Sequence, residues 1–247
     1  MATQGLEDTR TAALQSARRL LLIWQNPATR KFVQVGQLDH LLDGKYVFQY
    51  LPAATTDPDF FALDEYPVLD RSYVSSALPV FFANRIMSSG RASYQEYLEW
   101  HGLQDAESID VPMELLARTG GGRATDTFHV VEHPVRSTGT FSSRFFVSGL
   151  RHVDGGAERV RTLSEGANLS LRSDEENEHN PQAVVVDTDH LEPIGWVPDW
   201  LCDEVSALRS SGWQLEAIAE RVNPEAPVHV QVLCRIDARW NEPAPAV

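Results

Sequence analysis

The chain has only two lysines, two cysteines and no apolar run longer than the five residues Leu20 to Trp24. Each scarcity removes a class of explanation. A hydrocarbon core needs ~20 consecutive apolar residues, so no membrane span is expected, and the acidic, polar start Met1 to Asp8 lacks the basic stretch of an export signal. A cytoplasmic protein is the expectation. Cys202 and Cys234 form no C-x-x-C pair, zinc knuckle or disulfide framework, which leaves them as reduced, half-buried apolar residues. The lysines, Lys31 and Lys45, lie in or beside hairpin strands, and Gly120-Gly121-Gly122 is not followed by Gly-Lys-Ser/Thr, so no phosphate loop is present. The serine-nucleophile pattern G-x-S-x-G is absent as well. Basic side chains are few: the formal net charge of the 247 residues is -14, with 12 basic and 17 acidic residues in 1–139 and 9 and 18 in 140–247. Affinity for nucleic acid rests on neutralising phosphates with Lys and Arg, so this balance argues against a long nucleic-acid footprint and leaves room for a small local pocket.

What is there suffices for a packed fold: 43% of residues are hydrophobic and 23% charged, the balance of a globular protein. Leu20 to Trp24, Lys31 to Gly36 and Lys45 to Tyr50 read as strands, the last two joined through an Asp43-Gly44 turn. A loop follows over Pro52 to Asp59, then helical spacing over Leu78 to Met87 and Ser93 to Trp100. A third helix starts at Asp110 as N-cap, with Pro112 in its first turn, and stops at Gly120. Phe128 to Glu132 is a strand, and His133 to Thr140, with Pro134 and Gly139, reads as a linker. Beyond it Arg144 to Leu150, Asn168 to Leu171, Ala183 to Val186, Ile194 to Val197 and Val228 to Ile236 are short β-rich runs, interrupted by one helix over Trp200 to Arg209. Trp213 to Val222 fits helical spacing, yet a small barrel requires a strand there. The fold expected is α+β: a β-meander with helices over residues 1–136, then a small β-barrel with one main helix over residues 137–247.

Catalytic constellations are weak. His129-Val130-Val131-Glu132-His133 has the H-x-x-E-H spacing of inverted zinc peptidases, in which a helix turns both imidazoles toward one metal. Val130 and Val131 favour a strand, and Pro134 follows at once, so the histidines are expected to end a strand. Asp174-Glu175-Glu176-Asn177-Glu178 carries oxygen ligands for a hard cation, but such a run is more often a solvated acidic loop. No cofactor or resident metal is expected, and the chain is not expected to be an enzyme.

Four blocks, in order and at matching spacing, carry a resemblance: Phe145-Phe146-Val147-Ser148-Gly149-Leu150-Arg151-His152, Gly166 to Leu171, Asn177-Glu178-His179-Asn180-Pro181-Gln182-Ala183 with Val184 to Val186, and Ile194-Gly195-Trp196-Val197-Pro198. Over about 100 residues the chain resembles a HIRAN domain. The resemblance implies an OB-like barrel and, as in members fused to DNA-remodelling enzymes, a pocket for the 3′ end of single-stranded DNA. By position that pocket comprises Arg151, His152, Asn177, His179, Asn180 and Trp196. An arginine neutralises a phosphate, imidazole and indole faces stack a base, and amides hydrogen-bond a sugar hydroxyl. Each has a structural reading as well: His152 without a stacking role, Trp196 in the core, Asn177 and Asn180 shaping a turn. The family loop reads N-P-Y/H-D-x-N-A, so Asn180 stands where an aspartate is usual, and Glu178 adds negative charge beside a site meant for a phosphodiester.

The first half resembles the small N-terminal subdomain of HipA-type kinases, through Gly44 to Tyr50, Leu78-Pro79-Val80-Phe81-Phe82-Ala83-Asn84 and Glu114 to Gly121. Ser88-Ser89-Gly90 replaces the usual Pro-Glu-Gly, and the HIRAN-like segment stands where the kinase core would follow. The resemblance implies docking on a separate HipA-like kinase, as in split toxin-antitoxin systems, without phosphotransfer by this chain. Together the two halves suggest a non-catalytic adaptor in a toxin-antitoxin or phage-defence system. The alternatives are a protein-only regulator with a degenerate HIRAN domain and, remotely, a zinc hydrolase using His129, Glu132 and His133.

Overall fold

The computed structural model describes residues 16–104, 110–122 and 126–240; the Met1 to Asp8 start lies outside them. These residues divide into two compact units, one formed by the chain up to Tyr97 together with Leu103–His133, the other by Leu98–Gly102 together with the chain from Pro134 onward.

The first unit is built on five antiparallel strands, β1 (Ser16–Gln25), β2 (Phe32–Leu41), β3 (Tyr46–Tyr50), β4 (Ser72–Ser75) and β5 (Phe128–Glu132), in the order β4-β3-β2-β1-β5. Leu20 to Trp24, the longest apolar run, falls in β1, which pairs with β2 on one edge and β5 on the other. All five of those residues are buried, which is why they read as a continuous run and not as an alternation. Among the described residues α1 (Pro52–Thr56), α2 (Val80–Ala83) and α4 (Val111–Thr119) accompany the sheet, and α3 (Tyr94–Trp100) starts in this unit and passes into the second at Leu98. The Asp110 carboxylate accepts the Met113 N–H and caps α4, which buries Met113, Leu115, Leu116 and Ala117. Two expectations change here. The segment over Pro52 to Asp59 opens with α1, and the helix expected over Leu78 to Met87 is confined to Val80–Ala83. Beyond Ala83 the backbone tightens through Arg85 N–H to Phe82 O and Ile86 N–H to Ala83 O. The turn leaves Arg85 buried, with Nη1 donating to Gly121 O at 2.8 Å and Nη2 to Asp126 at 2.7 Å, and an interior guanidinium requires such partners.

The second unit contains β6 (Val135–Ser137), β7 (Thr140–Phe146), β8 (Asn168–Ser173), β9 (Val184–Asp187), β10 (Pro193–Trp196), β11 (Gln214–Val222) and β12 (Val232–Arg239). They form one antiparallel sheet in the order β10-β9-β8-β11-β12-β7-β6. Helices α5 (Gly156–Thr162) and α6 (Asp199–Ser210) and 3-10 turns at Leu150–His152 and Val228–Val230 complete it. The α+β class stands, with its meander first and its second sheet after. Helix α5 was not expected, and the run read as a strand from Val228 opens with a 3-10 turn and is strand only from Val232; three further points stand out. The segment read as a linker forms a hairpin, Val135 pairing with Ser142 and Ser137 with Thr140. The ambiguous Trp213 to Val222 stretch is strand β11, because Ala217 and Ala219 alternate into the core. A closed barrel is not found among the strand ladders of the described residues; one isolated antiparallel bridge, Ser148 with Trp196, ties the chain after β7 to the end of β10. The core draws Phe141 and Phe145 from β7, Val184 and Val186 from β9, Leu201, Val205 and Leu208 from α6, and Cys234 and Ile236 from β12. Among the described residues no helix is long and apolar enough to cross a membrane.

Candidate nucleic-acid interface

The bridge fixes Trp196. Its N–H donates to Ser148 O at 2.9 Å and its carbonyl accepts the Ser148 N–H at 2.8 Å, so two backbones are joined by a reciprocal pair of hydrogen bonds. Only glycine fits on either side of that meeting. Gly195 has φ +154, and a Cβ there would run into Ser148 O and lie 2.6 Å from Val147 Cγ1; at Gly149, φ +68, a Cβ would lie 2.7 Å from Trp196 Cε3. The indole therefore rests against the Gly149 backbone.

The turn Leu150–His152 begins directly after Gly149, which serves as its N-cap in the left-handed conformation. Leu150 is buried beneath it, and Arg151 and His152 face solvent. Arg151 Nε donates to His152 Nε2 at 2.9 Å. No carboxylate pairs with Arg151 among the described residues, so its charge stays open to an anion.

On the other flank lies the loop between β8 and β9. The Asp174 carboxylate accepts from Trp196 Nε1 at 2.8 Å and from Asn177 Nδ2 at 3.0 Å. The Asn177 amide, then the indole N–H, hold the Asp174 carboxyl below its ordinary value. Asn177 Oδ1 in turn accepts the backbone N–H groups of His179 and Asn180, both at 3.0 Å, an Asx turn that shapes the loop. Asn180 is committed at both ends of its amide: Oδ1 accepts from Gln182 N–H, and Nδ2 donates to Asp199 Oδ1 at the start of α6, both at 2.9 Å. The His179 imidazole and the Glu178 carboxylate are exposed.

Trp196, Asp174 and Asn177 thus form one hydrogen-bonded group; the Gly149 backbone packs on the indole and the turn that carries Arg151 and His152 starts at the next residue, and His179 and Asn180 share the Asn177 turn. The six residues named from sequence fall into an exposed group able to meet a ligand, Arg151, His152 and His179, and a supporting group, Asn177 and Asn180, with the half-buried Trp196 between them. Asp174 was read only as part of an acidic surface run. The signal for its role was the indole itself, since a half-buried Trp N–H needs an acceptor.

The other leads are structural. His129 and Glu132 lie on strand β5, three positions apart and therefore on opposite faces, and Glu132 accepts from Arg18 Nη1 at 2.8 Å. The helical geometry that H-x-x-E-H needs is absent, and no group of three or more His, Cys, Asp or Glu among the described residues is arranged to hold a metal. Cys202 and Cys234 are fully buried, not half-buried; burial pushes the Cys202 thiol up to about 12 and the Cys234 thiol up as well.

Residues 140–240 match the family model of the HIRAN domain. Two crystal structures resemble the chain: a Lactobacillus plantarum protein, 18% identical over 42% of this chain and 92% of its own, TM-score 0.34, and the HIRAN domain of human HLTF, 16% identical over 42% of this chain and 81% of its own, TM-score 0.33. No curated protein matches the chain. The family match leaves residues 1–139 outside it; the HIRAN domain, residues 140–240, lies within the second unit.

Proposed function

We propose that the HIRAN domain of this chain holds the free 3′ end of single-stranded DNA, and that the chain acts as a non-catalytic adaptor whose first unit docks on a protein, a HipA-like kinase in a toxin-antitoxin or phage-defence setting being the partner its motifs suggest. The observation that carries the DNA reading is the Trp196 indole, braced between Gly149 and Asp174 beside the Arg151–His152 pair. A fixed aromatic face, with an arginine free of carboxylate partners two residues beyond the glycine it rests on, offers the chemistry for stacking a terminal base and neutralising its phosphate. With one such cation the site suits an end and not a long duplex, in keeping with the acidity of the chain.

The test is fluorescence anisotropy of the full chain with labelled single strands ending in a 3′ hydroxyl or a 3′ phosphate, at low and physiological salt. Preference for the hydroxyl, lost in Arg151→Ala without unfolding, is expected; absence of binding at both salts overturns the reading. One observation favours the protein-only alternative: Asn180, which replaces the usual aspartate, spends its amide on Asp199 and Gln182, with exposed Glu178 beside it. A chain that ignores nucleic acid yet co-elutes with a HipA-like kinase supports that alternative.

A further inference from the structure

A second feature of the HIRAN domain lies at the far end of α6. A groove of about 390 Å³ is lined by Leu169 and Leu171 of β8, Leu215 and Ala217 of β11, and by Arg209 and Trp213. Trp240 extends its aromatic surface, with ring centroids 6.0 Å from Trp213. In this acidic unit Arg144, Arg159, Arg161, Arg172 and Arg235 each pair with a carboxylate. Arg209 does not: Nη1 donates to Ser173 Oγ at 3.1 Å, and no carboxylate lies within ion-pair distance of it among the described residues. It shares that state with Arg151 at the candidate site and with Arg221 and Arg239, and of these four it is the one that lines the groove.

Helix α6 connects the two places. Its first residue, Asp199, is tied to Asn180, Ser206 Oγ donates to Gln182 O at 3.3 Å, and Arg209 reaches Ser173, the residue before the Asp174 that holds Trp196. The helix thus runs along the 173–182 segment, and ten residues at ~1.5 Å each separate the two ends by about 15 Å. At ~3.4 Å per nucleotide of a stacked strand that is about four nucleotides, the low end of the ~4 to 16 that an OB-type domain accommodates.

We infer that this groove receives the nucleotides preceding the terminal one, Arg209 meeting a phosphate and Trp213 a base, so that the domain binds a short single strand and not an isolated end. The inference rests on the end-binding reading above. A guanidinium without a carboxylate partner beside an indole, in a groove that also carries Ser170, matches the chemistry of an internal nucleotide, which offers one phosphate charge and one flat base. Because the groove has a single cation, the footprint ends there, consistent with the charge balance of the unit.

The experiment is a length series. Oligodeoxythymidylates of two to eight nucleotides, with a free 3′ hydroxyl and a 5′ fluorophore, are titrated with the full chain and with Arg209→Gln and Trp213→Leu, the second keeping an apolar side chain over the core. For the wild type, affinity is expected to rise roughly tenfold between two and about five nucleotides, the low end of one base–indole stack, and then level off. Both variants should bind the dinucleotide as the wild type does and lose most of the rise, and Arg209→Gln should flatten the salt dependence for the longer strands by about 0.7 in the log–log slope. A wild type that binds the end with the same affinity at every length overturns the inference and leaves end recognition intact, as does an Arg209→Gln variant with an unchanged length series. A wild type that binds no length overturns both.

Discussion

Gly149→Ala is the sharpest probe of how the candidate site is assembled, because two separable costs meet at one atom. Gly149 has φ +68, and an added Cβ would lie 2.7 Å from Trp196 Cε3 and 3.1 Å from Cζ3. The left-handed backbone costs an alanine roughly 1–2 kcal/mol. Displacing a braced indole adds an overpacking cost of ~1–3 kcal/mol, for a total of about 2–5 kcal/mol. Gly166→Ala is the matched control, since Gly166 has φ +81 and nothing within 4 Å of its added Cβ, so it bears only the backbone cost. In a domain of this size ~1 kcal/mol moves the midpoint by ~4–8 °C. In differential scanning calorimetry of the full chain, the transition in which the second unit unfolds should therefore lie at least ~4 °C lower for Gly149→Ala than for Gly166→Ala. Adding Trp196→Leu to Gly149→Ala should cost less than the two changes summed, because the clash and its target disappear together. Equal midpoints for Gly149→Ala and Gly166→Ala would refute the packing of the indole on Gly149.

Two further outcomes follow from the titratable groups. The folded pKa of Asp174 lies below its ordinary value of 3.8, so the stability it confers is fully present above about pH 3.8 and is lost as the pH falls through the folded pKa. In urea denaturation Asp174→Asn should be less stable than the wild type at pH 7, with the gap closing toward pH 2.5; a gap independent of pH would mean that the carboxylate charge does not hold the loop. Burial raises both thiols, so 5,5′-dithiobis(2-nitrobenzoic acid) at pH 8 should label neither Cys202 nor Cys234 in the native chain and both in denaturant, and rapid native labelling would contradict their burial.

The sequence made the second unit more legible than the first because its blocks carry backbone constraints. Gly149, Gly195 and the Asn177 turn are residues whose type follows from where two chains approach or where a loop must bend, and such requirements remain visible in sequence. The strands were legible where burial is complete, as in β9 and in the Leu20 to Trp24 run, whereas β7 lies over Thr140–Phe146 and not over Arg144 to Leu150. Helix length was not: Leu78 to Met87 has helical spacing, but the partners of Arg85, Gly121 and Asp126, lie 36 and 41 residues away, and local periodicity carries no information about them. The β6–β7 hairpin was masked in the same way, because Pro134 and Gly139 mark a turn and a linker alike. The role of Asp174 lay hidden among neighbouring acidic residues, since nothing in composition separates a carboxylate that accepts an indole N–H from one that faces water.

The Ser148–Trp196 bridge makes one residue serve two masters. Its main chain joins two ends of the sheet, and its side chain is the aromatic face proposed to stack a ligand, so a guest on the ring would also grip the joint. Binding and cohesion of the domain are then thermodynamically linked, and a ligand that recognises the ring should raise the melting point of the whole unit and not merely occupy it. The same link confounds the obvious mutant: Trp196→Ala removes contact and brace together, whereas Trp196→Phe keeps the main-chain joint and an aromatic face while giving up the N–H that Asp174 accepts, and so tells the two roles apart.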